Sequence, residues 1–517
     1  MILRYFIEYL SNIKKTFIMF INSISYLAMG IALAFYFFFF FNLLTFGDLL
    51  SQANEEIIDD NGMETTEDID LIVNHPKKAI NKLVLPIIFS NLFMVLNNII
   101  DGIWVAGLGS DSLAAVGFVT PIFLCMVGFA NGLGAGANSL ISRCIGAERY
   151  ESAGNSAIHA MMLSIITTVV LTAILLLSLR SIFISMGAAS IIDETLDYGY
   201  ILLAGIFSLF LPAMMAAIFR SQGEIKRASY PLILNAIINM ILDPIFIYVF
   251  GWGVKGAAFA TVIAGTSALI PMGYWMFVKR DSFLEIRMKE YKTNLKIYRD
   301  ILVVGIPASL EQIILSSVAI LMNYWLSLLS GTIAVAAYTA TWRLISLGIP
   351  PVIAIGVAAL TVGGAAYGAK NLRNFKTALN YSLKLGLISS ILICIFFFVF
   401  AEPLSFIFSY SADGSILASR VVEALRILCF FILFMPLGSI AGSLFQSMGK
   451  GTIPLFLTFL RAVILEILFV VIFAFVFELA DIGIYAGLVC GMAVGSFISY
   501  GFILYYLKKH EDYFEIK

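Results

Sequence analysis

The sequence predicts an all-α polytopic membrane protein: twelve transmembrane helices in two six-helix lobes related by a parallel pseudo-twofold repeat, with one further candidate helix at the N-terminus. Three observations predict it. The 517 residues are 61% hydrophobic and only 13% charged, where a soluble domain carries about a quarter charged residues. Apolar runs near twenty residues recur along the chain, as in "LILNAIINMILDPIFIYVF" and "LISSILICIFFFVF", and that length crosses roughly 30 Å of hydrocarbon. Basic residues collect in alternate loops. In lipid each run must satisfy its own backbone polar groups, so each reads as a helix. The runs do not alternate in polarity, which excludes a transmembrane barrel.

Twelve strong runs follow residue 80, the first near 83–104 and the last near 484–507. One set of intervening loops holds twenty-two Lys and Arg residues, among them Lys77, Arg149, Arg227, Lys289, Arg373, Lys450 and Lys509; the other set holds three, Arg180, Lys255 and Arg420. A miscounted span scrambles such an alternation. The positive-inside rule therefore places the 279–299 loop and the C-terminus in the cytoplasm, in a plasma or inner membrane.

Residues 1–75 stand outside this scheme. Phe17 to Phe46 is apolar enough to span, and Lys14 and Lys15 before it favour a cytoplasmic start. Yet Lys77 and Lys78 require the next span to begin on that same side. The linker is acidic, from Glu55 to Asp70, and reads as disordered. Three readings stay open: an extra helix entering from outside, an upstream start with Met63 the true initiator, or a cleaved or re-entrant segment. The expected divisions are 1–75, an N-lobe over 76–290 and a C-lobe over 291–517.

The two halves match in order. "LPIIFSNLF" faces "GIPASLEQI", "IGAER" faces "YGAKN", "FRSQGE" faces "FQSMGK" and "PLILNAIINMILD" faces "PLFLTFLRAVILE", at offsets of 220–226 residues. Six spans per half make the repeat parallel, with its axis along the membrane normal. Two such bundles leave a cleft that rocking exposes to alternate sides.

Several function classes are disfavoured. Net charge is −1, giving no basic footprint for nucleic acid. The five cysteines have no paired spacing, and His75, His159 and His510 form no ligand cluster. With no nucleophile, metal motif or acid–base pair set for chemistry, the chain reads as a non-enzyme without a cofactor, working as a monomer among lipids.

A carboxylate at membrane depth costs at least about 2.5–3.5 kcal/mol, so it is a functional candidate. Asp101 lies in the first span and Asp243 in the fifth. Asn239, four residues before Asp243, shares its helix face. Pro244 cannot donate to Met240, which frees a carbonyl. Thr261 in the sixth span adds a hydroxyl. This all-oxygen set suits Na+ or a shared proton. In the second half Glu466 is the counterpart of Asp243, Met322 or Asn323 the counterpart of Asp101, and Arg461 lies about one turn before Glu466. They form a second candidate site, whose simplest reading is neutralisation of Glu466 by an Arg. Arg343 lies in the eighth span. Glu311, Gln312, Glu423 and Arg426 read as interfacial. Phe207, Phe210, Met214 and Met215 are expected to line the cleft.

These stretches resemble the MATE (multidrug and toxic compound extrusion) transporters, and most closely their DinF-like branch. The likeness rests on "LPIIFSNLFMVLNNIIDGIWVAGLG", on the "NxxxDP" run with its trailing "GAAFAT", and on "PPVIAIGVAALTVGGAAYGAKN". It covers about residues 70–507. The resemblance implies a V of two lobes and export of lipophilic or cationic compounds against Na+ or H+. It places the branch's cation ligands on Asp101, Asn239, Asp243 and Thr261, with Tyr198 as a fourth-helix partner. Other branches carry a seventh-helix Glu eight residues past the Pro; here that position is Leu315, and Glu311 reads as too near the Pro to replace it. The rival reading is a lipid-linked oligosaccharide or precursor flippase of the same superfamily, which scarce intramembrane Arg disfavours.

Overall fold

The computed structural model describes residues 67–279, 282–284, 293–405 and 414–515. The stretch read as a further N-terminal helix lies outside them. Among the described residues every regular element is helical. Twelve helices are long and apolar enough to cross a membrane, from Pro76–Val105 to Ala480–Lys509. We number the spans 1 to 12 in chain order.

Span 2 reaches Gly146 and span 8 reaches Gly368. The helix Leu295–Gly348 holds span 7 and the first part of span 8, divided at Gly331, where φ is 74° and ψ −171°. Gly109, which divides spans 1 and 2, has φ 115° and ψ 178°. Both hairpins need a residue without Cβ to reach positive φ, and the two glycines stand 222 residues apart. The same offset relates the glycines that end spans 2 and 8. The repeat read from sequence is therefore built into backbone geometry.

At the basic end the lobes touch through spans 2 and 8. Gly146 packs on the Ala365 backbone and Gly368 on the Arg143 backbone, each too tightly to admit a Cβ. Asn138 Nδ2 donates to Thr361 Oγ1 at 2.9 Å in the same seam. Residues 143 and 365, like 146 and 368, are repeat mates, so the contact is reciprocal across the pseudo-twofold. The short helix Glu67–Asn74 lies over this end. Lys82 Nζ meets Asp68 at 2.6 Å and Asn374 Nδ2 donates to the Val73 carbonyl at 2.8 Å, which ties the helix to both lobes.

Glu224, between spans 4 and 5, accepts from Ser282 Oγ at 3.0 Å and pairs with Arg227 at 2.8 Å. Burial pushes its carboxyl above the usual range, against the pull of Arg227 and Ser282. These bonds anchor the chain where it leaves the N-lobe.

Span 12 meets span 11 along Gly483, Gly487, Gly491 and Gly495. A Cβ on the first three would stand 2.5–2.6 Å from the α-carbons of Ala474, Val470 and Glu466, and one on Gly495 would overlap the Arg461 side chain. Small residues at four-residue spacing let helices approach this closely in lipid. The partners on span 11 step by four, four and then five residues. The five-residue step is absorbed by a π-helical segment, Leu460–Glu466. Its wider turn keeps Arg461 and Glu466 on one face.

Candidate cation site and interlobe cleft

Spans 1 and 5 carry the same spacing. Asn97 and Asp101 stand four apart on one, Asn239 and Asp243 four apart on the other, and the two faces meet. Asn97 Nδ2 donates to Asn239 Oδ1 at 2.7 Å, and Asn239 Nδ2 donates to Asp243 Oδ1 at 2.9 Å. The carboxyl of Asp243 meets that of Asp101. Asp243 and Asn239 are buried. Three buried oxygens here, Asn97 Oδ1, Asp101 Oδ1 and Asp243 Oδ2, receive no donor from the protein, so the two carboxyls that meet need a shared proton or a cation between them. Each such group costs about 1–3 kcal/mol unless something fills it. The arrangement offers converging oxygens to a hard cation or a proton.

Tyr198, buried on span 4, lies within electrostatic reach of both carboxyls. Thr261 Oγ1 donates to its own helix carbonyl at Ala257, 3.0 Å away, and keeps its lone pairs. Beyond Pro244 the backbone widens into a π-helical turn, Ile245–Val249. There Tyr248 Oη donates to the Trp104 carbonyl at 2.5 Å and clasps spans 1 and 5 just above the acids. Sequence reading missed Asn97 and Tyr248. For Asn97 the signal was present: an amide four residues before an acid, the pattern recognised at 239 and 243.

In the second half Arg461 Nη1 donates to Glu466 Oε1 at 2.6 Å, with Glu466 buried and Arg461 largely so. Asn323 Oδ1 is buried and unpartnered. Tyr338 lies within electrostatic reach of Glu466. Glu311 is not interfacial. It accepts, with long bonds, from Gln446 Nε2 at 3.4 Å and Thr458 Oγ1 at 3.5 Å, turned into the C-lobe. One helical turn separates it from Leu315, so the two share a side of span 7. At the end away from the basic loops, Arg426 pairs with Glu402 at 2.9 Å and Arg420 with Asp481 at 2.7 Å.

The expected cleft lining in span 4 needs correction. Phe210, Met214 and Met215 are buried in the N-lobe core, and Phe207 alone is exposed, at 37%. Span 4 is packed on several sides by spans 2, 3, 5 and 6, which leaves its Met side chains no open face. Spans 2 and 7 pack on each other through Gly132, Gly136, Gly305 and Ser309, and beside that contact Leu124, Gly128, Asn131, Ala308 and Gln312 line a cavity of about 260 Å³.

The MatE family model matches residues 86–245 and 307–472, one stretch in each lobe. The chain belongs to the MATE transporter family. It is 24% identical over 454 residues to the probable multidrug resistance protein YoeA of Bacillus subtilis, covering 84% of this chain and 95% of that one. It is 25% identical over 434 residues to the probable multidrug resistance protein NorM of Thermotoga maritima, covering 83% and 92%. A solved outward-facing MATE transporter superposes with a TM-score of 0.84 at 34% identity, covering 86% of this chain and 99% of that structure. This MATE protein is thus a multi-pass membrane efflux transporter, with the two-lobe architecture of its family.

Proposed function

We propose that the chain is an antiporter that exports lipophilic or cationic compounds in exchange for Na+ or H+. Asp101, Asn239, Asp243 and Thr261, with Tyr198 beside them, hold the coupling ion in the N-lobe. One observation carries this: two facing carboxyls on spans 1 and 5, each with a buried oxygen that no protein donor reaches. With the basic loops in the cytoplasm, as the positive-inside count requires, the closed seam of spans 2 and 8 is cytoplasmic and the acid pair lies toward the outer ends of its helices. A cation or proton enters from outside, neutralises the pair and draws spans 1 and 5 together. The lobes then rock, the ion leaves inward, and a new substrate enters the cleft. Coupling requires that ion and substrate prefer different states; tight binding alone shifts nothing.

Proteoliposomes with Na+ and pH gradients imposed separately test it. Asp243→Asn is expected to abolish gradient-driven dye uptake while leaving equilibrium dye binding within about twofold, since the interlobe cavity is lined by residues of spans 2 and 7. Uptake at the wild-type rate in Asp243→Asn sinks the reading. Whichever gradient alone sustains wild-type uptake identifies the ion.

A further inference from the structure

Among the described residues Arg343 is an exposed arginine deep in a span of the C-lobe with no counter-charge. It stands twelve residues past the Gly331 hairpin, which at 1.5 Å per residue is about 18 Å down span 8. An Arg at such depth is costly in lipid, so its surroundings matter. Arg420, Arg426 and Arg461 of the same lobe each hold a carboxylate, at 2.7, 2.9 and 2.6 Å. Arg343 is exposed, and among the described residues its side chain has neither an ion pair nor a hydrogen bond.

Helical phase decides where it points. Thr361 lies eighteen residues further, five turns at 3.6 residues per turn, so it shares the face of Arg343. Ile349, between the two helical segments, keeps φ −75° and ψ −35°, so the phase carries across. Thr361 bonds Asn138 of span 2 where the lobes touch. The face that seals the lobes at one end is therefore the face that carries Arg343 where they part. Span 2 behaves alike: exposed Thr120, Leu124 and Asn131 share the face of Asn138, and Leu124 and Asn131 line the interlobe cavity.

Polarity agrees. The exposed stripe of span 8 around Arg343 reads Thr332, Ala336, Thr339. The exposed face of span 3 reads Ile165, Ile166, Val169, Val170, Ile174 and Leu177, the composition of a lipid-facing helix. The composition of the Arg343 stripe suits a water-filled cleft better than lipid.

We propose that Arg343 is an anion anchor on the C-lobe wall of the cleft, and that the exported compounds include amphipathic molecules bearing a carboxylate, sulfonate or phosphate. This deepens the transport reading and rests on it. A guanidinium presents paired donors that match such groups, and the adjoining Thr339 supplies a hydroxyl one turn away. The anion arrives on a soluble amphipath or as a lipid headgroup; the chemistry is shared.

The test uses the full chain in phosphatidylcholine nanodiscs and two dyes with one xanthene body, anionic carboxyfluorescein and cationic rhodamine 6G, read by fluorescence anisotropy. R343Q is expected to weaken carboxyfluorescein at least tenfold and to leave rhodamine within twofold. R343K retains most of the anionic affinity, and R343E tightens rhodamine while losing carboxyfluorescein. Unchanged carboxyfluorescein affinity in R343Q, or equal loss of both dyes, overturns the proposal. Replacing part of the phosphatidylcholine by phosphatidylglycerol identifies the source: competition in wild type that vanishes in R343Q marks a lipid headgroup, and its absence with the R343Q effect intact marks a soluble anion. These are equilibrium measurements without a gradient. Failure of Asp243→Asn to uncouple transport is therefore read separately from failure at Arg343.

Discussion

Substituting Gly146 or Gly368 by alanine tests how the lobes are held. A Cβ at 146 would stand 2.6 Å from the Ala365 carbonyl carbon, and one at 368 would stand 2.8 Å from that of Arg143, with the carbonyl oxygens nearer still. Ordinary carbon contacts lie at about 3.5–4.0 Å, so each change requires the two backbones to part by about 1 Å. Neighbours here are backbone and cannot rotate away. Overpacking of this kind costs about 1–3 kcal/mol. The two glycines lie in one seam, so their effects are not additive. The clash exists only while the basic ends are together, and rocking the lobes apart relieves it. At 1.4 kcal/mol per factor of ten, one substitution shifts the equilibrium about 5- to 150-fold toward the state opened at this end. Spin labels at Glu151 and Arg373, exposed repeat mates in opposite lobes, report the separation by pulsed electron resonance in a cysteine-free background. Gly102→Ala, which meets nothing within 4 Å, is the control. A distance distribution unchanged in both glycine variants would refute the reasoning.

Three further outcomes are expected. Asn97→Ala removes the donor to Asn239 and loosens the orientation of its amide on Asp243, so cation affinity falls by about 1–3 kcal/mol, or 5- to 150-fold, measured by titration of the coupling ion. Gly491→Ala drives a methyl against the Glu466 α-carbon 2.5 Å away and lowers stability by about 1–3 kcal/mol, seen as a reduced thermal midpoint in detergent. Arg461→Met strands the buried Glu466 and destabilises by about 3–5 kcal/mol, whereas the double change of Arg461 and Glu466 to Met restores most of that loss in the same assay.

Span number, repeat and lobe pairing were legible because each rests on a long-period signal. Hydropathy over twenty residues, loop charge and Gly or Pro anchors survive small errors of register. The N-lobe acids were legible for another reason: Asp101 and Asp243 are costly in lipid, and four-residue spacing on an α-helix fixes a shared face. In the second half the pairing of Glu466 with Asp243 and its neutralisation by an Arg were legible too, but the π-helical segment at Leu460–Glu466 hid the correspondence of Arg461 with Asn239. It inserts one residue, so Arg461, five before Glu466, occupies the place that Asn239 holds four before Asp243. Nothing local in "LRAVILE" announces that extra residue; the glycine row of span 12 selects it. Span 4 failed differently. An apolar helix with Met and Phe on it gives no periodic sign of which side is lipid, cleft or core, and packing by its neighbours decided for core.

The two halves therefore use one scaffold for opposite electrostatic ends. In the first, an amide donates to Asp243 and leaves a carboxylate oxygen without a partner. In the second, a guanidinium takes the amide's place and holds Glu466 at 2.6 Å. A cation cannot displace a covalently tethered charge from so short and buried a pair without leaving Arg461 stranded, so Glu466 is unsuited to loading and unloading ions. On the proposed reading the exchangeable charge sits in the N-lobe acid pair. The unpaired fixed charge that faces the cleft, Arg343, belongs to the C-lobe. On the proposed reading ion and anionic substrate occupy opposite lobes, and neither needs to compete for the other's residues. The same reading requires a link between them, and the closed seam of spans 2 and 8 is the element that both ligands would have to bias. Coupling by that route is lost when the seam is loosened, even with both sites intact.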